Sequence, residues 1–221
     1  MALQQVDNPK FLDTVSNLPQ WSLLFRSIFS GGLAGVLAGV LFLGIGSRLA
    51  MRFVALLNPE ANGTLTDAEQ IVGAFTFEGT VELVIFGGVF GGIFAGAVWV
   101  MVKDRLPERF CLRVPLAGVI ATLVGSFALI DADNFDFSVF GSVGLNVAMF
   151  MMLVGLTGSA TAYGNRVLQR RLPSSAGAGV LYASLVGFGA LLALPMIVSF
   201  FFVAGAAVQE PPRMAVIAGT T

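Results

Sequence analysis

Ionisable residues interrupt this chain at long intervals, and between them lie five uncharged windows: Ser27 to Ser47, Leu83 to Val102, Val114 to Ile130, Phe137 to Asn165, and Leu172 to Gln209. At the helical rise, a hydrocarbon core of ~30 Å is crossed by about 20 residues. The first two windows fit one helix each, the third is short but adequate, and the fourth fits one helix with flanks. The fifth is too short for two spans and a turn. Its start, with Ser174, Ser175, Gly177 and Gly179, reads as a loop entering one long helix that Pro195 kinks. The pattern therefore predicts an all-α, polytopic integral membrane helix bundle of about five transmembrane helices, with spans near residues 23–52, 81–103, 114–131, 138–164 and 178–207.

Around this five-span membrane domain, residues 23–207, the chain divides into an N-terminal cytoplasmic segment, 1–22, and a C-terminal tail, 208–221. Asn8 and Pro9 suit an N-cap and first turn, and Phe11, Leu12, Val15 and Leu18 share a face, so a short interfacial helix competes there with a floppy tail. Trp21 favours an anchor at the interface. The first twenty residues hold no continuous apolar stretch, and no cleaved leader is expected. The longest connection is the outer loop 58–80, in which Thr64–Thr66 and Ala74–Phe77 carry the short alternation of a small hairpin; irregular loop is the alternative.

Composition agrees with a lipid solvent. Apolar residues make up 56% of the chain before its 27 glycines are counted, and charged residues only 11%, against about 25% in soluble proteins. A chain this short has no aqueous core large enough to hide that much apolar surface.

The charges also choose sides. Lys103, Arg105, Arg109 and Arg113 cluster between the second and third windows, and Arg166, Arg170 and Arg171 follow the fourth, whereas Asp131, Asp133 and Asp136 make a purely acidic loop. Because Lys and Arg in short loops stay on the cytoplasmic side, the chain is expected in the cell membrane with its N-terminus cytoplasmic and its C-terminus outside. Arg48 and Arg52 dissent, lying near the outer end of the first span. One turn apart, they project from the same side, and an ideal helical ruler puts Glu82 and Glu78 on the second span at a similar height. Arg48, Arg52, Glu78 and Glu82 are thus candidates for an ionic lock of the outer loop or for a site taking an anion or lipid headgroup.

Glycine spacing predicts how the helices meet. Gly31, Gly35 and Gly39 recur every four residues in the first span, as do Gly88, Gly92 and Gly96 in the second. Each set forms a bare stripe that lets two backbones approach, so the two stripes are expected face to face with Gly35 near Gly92. The same glycines would otherwise serve a third helix or a dimer. Arg105, Leu106 and Pro107 recur as Arg171, Leu172 and Pro173, and GVIATLVGSF resembles GVLYASLVGF, which suggests a duplicated helical hairpin.

Candidate chemistry is sparse. Histidine is absent and Cys111 is the single cysteine, which removes the usual general base, the commonest haem and transition-metal ligand, and any intrachain disulfide. Asp131, Asp133 and Asp136 beside Asn134 would suit a hard cation, but they miss the calcium-loop spacing, and the charge bias explains them equally. Ser159 has no nearby base, and no phosphate-binding, zinc-protease or nucleophile-elbow motif occurs. Adjacent methionines at 149, 151 and 152 point in different directions. No metal, cofactor or nucleic acid is expected. The partners implied are membrane lipid and a second membrane protein or second copy of the chain.

Three function classes remain: a non-enzymatic helix bundle acting as scaffold or accessory subunit, a small transporter or channel, and a membrane enzyme. The windows are uncharged through their centres, which argues against ion-coupled transport. Asn146, Thr157, Ser159, Thr161, Tyr182 and Ser184 are polar enough to line a pathway or to bond helix to helix.

Overall fold

The computed structural model describes residues 19–59, 76–129 and 143–209. Among them the chain is helical throughout, with no strand. Five helical segments follow one another: α1, Gln20–Leu57; α2, Phe77–Arg105; α3, Phe110–Leu129; α4, Val143–Arg171; and α5, Ala176–Gln209. Of these, α1, α2 and α4 are long and apolar enough to cross a membrane, while α3 and α5 contribute shorter apolar stretches, Phe110–Gly125 and Gly177–Leu191.

Local signals fix the ends. Pro19 caps α1 in extended conformation, and Ser22 returns both its amide and its hydroxyl to the Pro19 carbonyl. At the far end the Asn58 amide and side chain both donate to the Val54 carbonyl, and Pro59 supplies no amide to carry the helix further. Thr76 is extended and Phe77 is already helical, so Phe77 opens α2 and does not end a strand. The segment expected as a loop before the last helix is shorter than its composition suggests. Ser175 caps α5, accepting from the Ala178 amide at 3.2 Å, and the helix is under way by Ala176. Helix α5 runs on through Pro195. Helix α4 likewise carries Arg166, Arg170 and Arg171 within it, not in a loop beyond it. The interfacial-helix segment 1–18, the hairpin segment 64–66, the acidic triplet Asp131, Asp133 and Asp136, and residues 210–221 lie outside the described residues.

Helix α1 is the hub. It packs against α2, α4 and α5, and α3 lies on the other side of α4. Its buried residues are small: Ser22, Ser30, Gly31, Ala34, Gly35, Ala38 and Gly39. The large apolar side chains point outward, among them Leu24, Leu37, Leu41, Phe53, Phe86, Phe94, Met101, Leu123 and Leu191. In water this would be inside out. Where lipid surrounds the helices, burying large apolar groups gives no advantage, and close backbone approach by small residues holds the helices together.

Two parts of this architecture depart from regular α-helix. Val40–Gly46 of α1 and Val84–Phe90 of α2 are π-helical, and the two wide stretches pack on one another. A π turn closes from i to i+5 and so changes the direction in which later side chains project.

Candidate functional site

The glycine stripes meet. A methyl group added to Gly35 would run into the Gly92 carbonyl and come within 2.6 Å of the Gly96 nitrogen; one added to Gly92 would lie 2.5 Å from the Gly35 carbonyl oxygen. Further along, Gly39 faces Gly88 and Gly92, Gly88 lies against Val40, and Gly96 faces Gly31 and Gly32. Only Gly31 meets chiefly side chains, those of Val100 and Trp99. The pair α1–α2 is therefore sealed backbone against backbone over two helical turns, leaving no passage between them.

A second seam, which the glycine stripes did not announce, joins α3 to α4. Methyl groups on Gly118, Gly155 and Gly158 would strike Ser159 Oγ, Thr122 Oγ1 and Ala121 Cβ respectively, and Gly158 also abuts the Ala117 carbonyl at 2.6 Å. The signal was present as small residues four apart, Gly118 with Thr122 and Gly155 with Ser159. Thr122 donates to the Gly118 carbonyl (3.0 Å) and approaches that of Met151 (3.4 Å).

At one end of the bundle the cations close helix termini. Arg26 Nη2 of α1 donates to the carbonyls of Gln169 and Leu172, where α4 finishes. Arg113 Nη2 donates to the Lys103 carbonyl, where α2 finishes, and the Arg113 guanidinium sits 5.3 Å from the Trp99 ring centre. Lys103 Nζ reaches Ser27 Oγ, Arg105 donates to the Met101 carbonyl at 2.6 Å, and Arg166 lies over Phe110 at 4.3 Å. The last carbonyls of a helix lack internal partners and carry the negative end of its dipole, so a cation supplies both a donor and a favourable charge. A few residues deeper, the Ser30 hydroxyl, fully buried, donates to Asn165 Oδ1 at 2.8 Å and ties α1 to α4.

Of the polar residues named as candidates to line a pathway, four donate to backbone carbonyls. Thr157 donates to the Leu153 carbonyl at 2.8 Å and Thr161 to the Thr157 carbonyl at 2.7 Å, each within its own helix. Tyr182 donates to the Pro173 carbonyl at 3.1 Å and stacks on Phe29, fastening the start of α5 to α1. Ser184 bonds back to the Val180 carbonyl.

The opposite end differs from what the helical ruler suggests. Among the described residues Arg48 forms no ion pair with Glu78 or Glu82, so the four-residue lock is not assembled. Arg48 is 8% exposed, whereas Glu78 and Glu82 are exposed and Gly79, between them, is the buried residue of that turn. The ruler fixes height but not direction, and with π turns in both helices the basic and acidic residues face different sides. Arg52, one turn beyond Arg48, is exposed. The Arg48 Nε is buried without a hydrogen-bond partner, as are those of Arg26 and Arg113, but unlike theirs its guanidinium makes no other hydrogen bond among the described residues. Gly46, just before it, packs near Leu153 of α4, and the turns that follow lie against α4 and the start of α2.

No three acidic, cysteine or histidine side chains gather among the described residues in a way that would hold a metal. Compared with family profiles, curated proteins and solved structures, the chain matches none.

Proposed function

We propose that the chain is a multi-pass protein of the cell membrane in which α1 to α5 each cross the bilayer, with the N-terminus and the basic helix ends in the cytoplasm and the C-terminus outside. Within that membrane it works as a non-enzymatic helix-bundle scaffold or accessory subunit. The observation that carries this reading is the inverted packing: large apolar side chains lie on the outside while small residues and bonded hydroxyls lie within. Such a bundle is solvated by lipid, and its buried hydroxyls bond to carbonyls of their own helix, as at Thr157 and Thr161, or join two helices, as at Ser30. The basic cluster supports the orientation, since Arg26, Lys103, Arg105, Arg113 and Arg166 gather at one end.

The test is purification of the tagged chain from its native membranes in a mild detergent, followed by reconstitution of the chain alone into proteoliposomes. A scaffold or subunit retains one membrane partner at fixed stoichiometry and gives no solute flux by itself. A chain that purifies alone and carries solute contradicts the reading.

A small transporter or channel is the second reading, and a specific observation favours it: Arg48 is a buried cation inside an apolar helix, and ionisable groups in such positions commonly mark a substrate path. Flux of an anion that Arg48→Gln abolishes would establish it.

A further inference from the structure

Three features stand apart from the helix packing: the basic cluster at the inner end, the open face of α5, and buried Arg48. The cations of the first close helix ends and need no ligand. On α5, Gly187 and Gly189 face open space, and nothing indicates what would cover them. Arg48 is different, because its position is costly and nothing among the described residues meets that cost.

A guanidinium keeps its charge wherever it is placed, so burial cannot be relieved by releasing a proton. The relief available is a partner. Arg26 and Arg113, half-buried, find theirs in carbonyls freed at helix ends. Arg48 has no such carbonyls nearby along its own helix. It lies nine residues before the end of α1, at Leu57, where the carbonyls are taken by helical bonds. The carboxylates at its height, Glu78 and Glu82, are exposed on another side of α2. The group is nevertheless 8% exposed, with Nε wholly withdrawn and without a partner. On the bilayer side of it, Ile45, Leu41 and Leu37 of the same helix present an exposed apolar flank.

We propose that Arg48 anchors a binding site for a phosphate group where the outer half of α1 meets α2 and α4. The guanidinium fork matches the oxygen spacing of phosphate, and the charge-assisted pair forms where little water competes. The proposal rests on the membrane reading above for one point only, that lipid surrounds the apolar flank. A phospholipid there puts its phosphodiester toward Arg48 and runs its acyl chains back toward the bilayer centre along Ile45, Leu41 and Leu37. Free phosphate presents the same chemistry without the chains.

The experiment measures thermal unfolding of the full chain in a neutral detergent, with and without three probes: phosphatidylglycerol, diacylglycerol, and inorganic phosphate at matched ionic strength. Native mass spectrometry counts retained lipid. Phosphatidylglycerol should raise the unfolding midpoint of the wild type by several degrees and remain bound, diacylglycerol should do neither, and Arg48→Gln should abolish both effects. Without any probe, Arg48→Gln should be at least as stable as the wild type, because it removes a buried charge. Arg48→Lys keeps the charge and loses the fork, so it should bind roughly tenfold more weakly, and it serves if the glutamine variant does not fold. Stabilisation by inorganic phosphate to the same extent supports the site and assigns it to a soluble anion. The proposal is overturned if diacylglycerol stabilises as well as phosphatidylglycerol, or if the variants respond to every probe as the wild type does. Solute flux in proteoliposomes bears on the scaffold reading and leaves these outcomes unaffected.

Discussion

Arginine is used in two ways within the same bundle. At the end where α1 begins, Arg26 and Arg113 reach the last carbonyls of α4 and α2, and Lys103 finds the hydroxyl of Ser27. Toward the other end of α1, Arg48 is withdrawn further from the surface and meets no acceptor among the described residues. The residue type is the same, and the difference lies in what stands beside it. A helix end offers carbonyls that no amide has claimed, whereas a helix middle offers none. A buried cation is therefore structural when placed against a terminus and a demand for a ligand when placed against a helix wall.

The backbones differ between these regions as well. From Gly31 to Gly39, α1 is regular and lies directly on α2, a contact only bare glycines permit. From Val40 to Gly46 α1 widens into a π stretch, as α2 does from Val84 to Phe90, and it is past this zone that Arg48 lies apart from the exposed Glu78 and Glu82.

The largest effect is expected at the glycine seam. Gly35→Leu drives a side chain into the backbone of α2, and because overpacking typically costs about 1–3 kcal/mol even where side chains can yield, this variant should lose the folded bundle. Gly32→Leu, one turn position away, meets nothing within 4 Å and should shift the unfolding midpoint little. Equal loss at both positions would break the distinction between seam and open face; detergent unfolding curves of the two variants decide it.

A smaller effect is expected where α1 and α4 are joined by a single buried hydrogen bond. A double-mutant cycle of Ser30→Ala and Asn165→Ala should give a coupling of about 0.6 kcal/mol and no more than ~1.7, the range for hydrogen bonds between membrane helices. No coupling would mean that the inner end owes its order to the cationic caps alone.

Much of this arrangement is legible in the sequence, and the reasons are physical. Helix extents follow from uncharged windows bounded by Pro19, Asn58 with Pro59, and the basic clusters, because charge and backbone geometry both act locally. The apposition of Gly35 and Gly92 is legible because a four-residue period survives along a regular helix. The α3–α4 seam was harder to find, since Gly118, Gly155 and Gly158 share the work with Ala117, Thr122 and Ser159, and small residues of mixed type do not stand out as a stripe. Among the described residues no ion pair joins Arg48 to Glu82, for a different reason. Height along a helix can be counted from residue numbers, but the side a residue faces depends on every turn before it, and the π turns have no clear sequence mark. The caps of α2 and α4 by Arg113 and Arg26 depend on tertiary placement and could not be read from spacing at all.

The orientation proposed for the bundle, with its basic end in the cytoplasm, can be tested directly, and the chain provides its own probe. Cys111 is the single cysteine, it is exposed, and it opens α3 within the basic cluster. Labelling with a membrane-impermeant maleimide should leave Cys111 unmodified in intact cells and modify it rapidly once the membrane is opened. Rapid modification in intact cells would place the basic end outside and contradict the account.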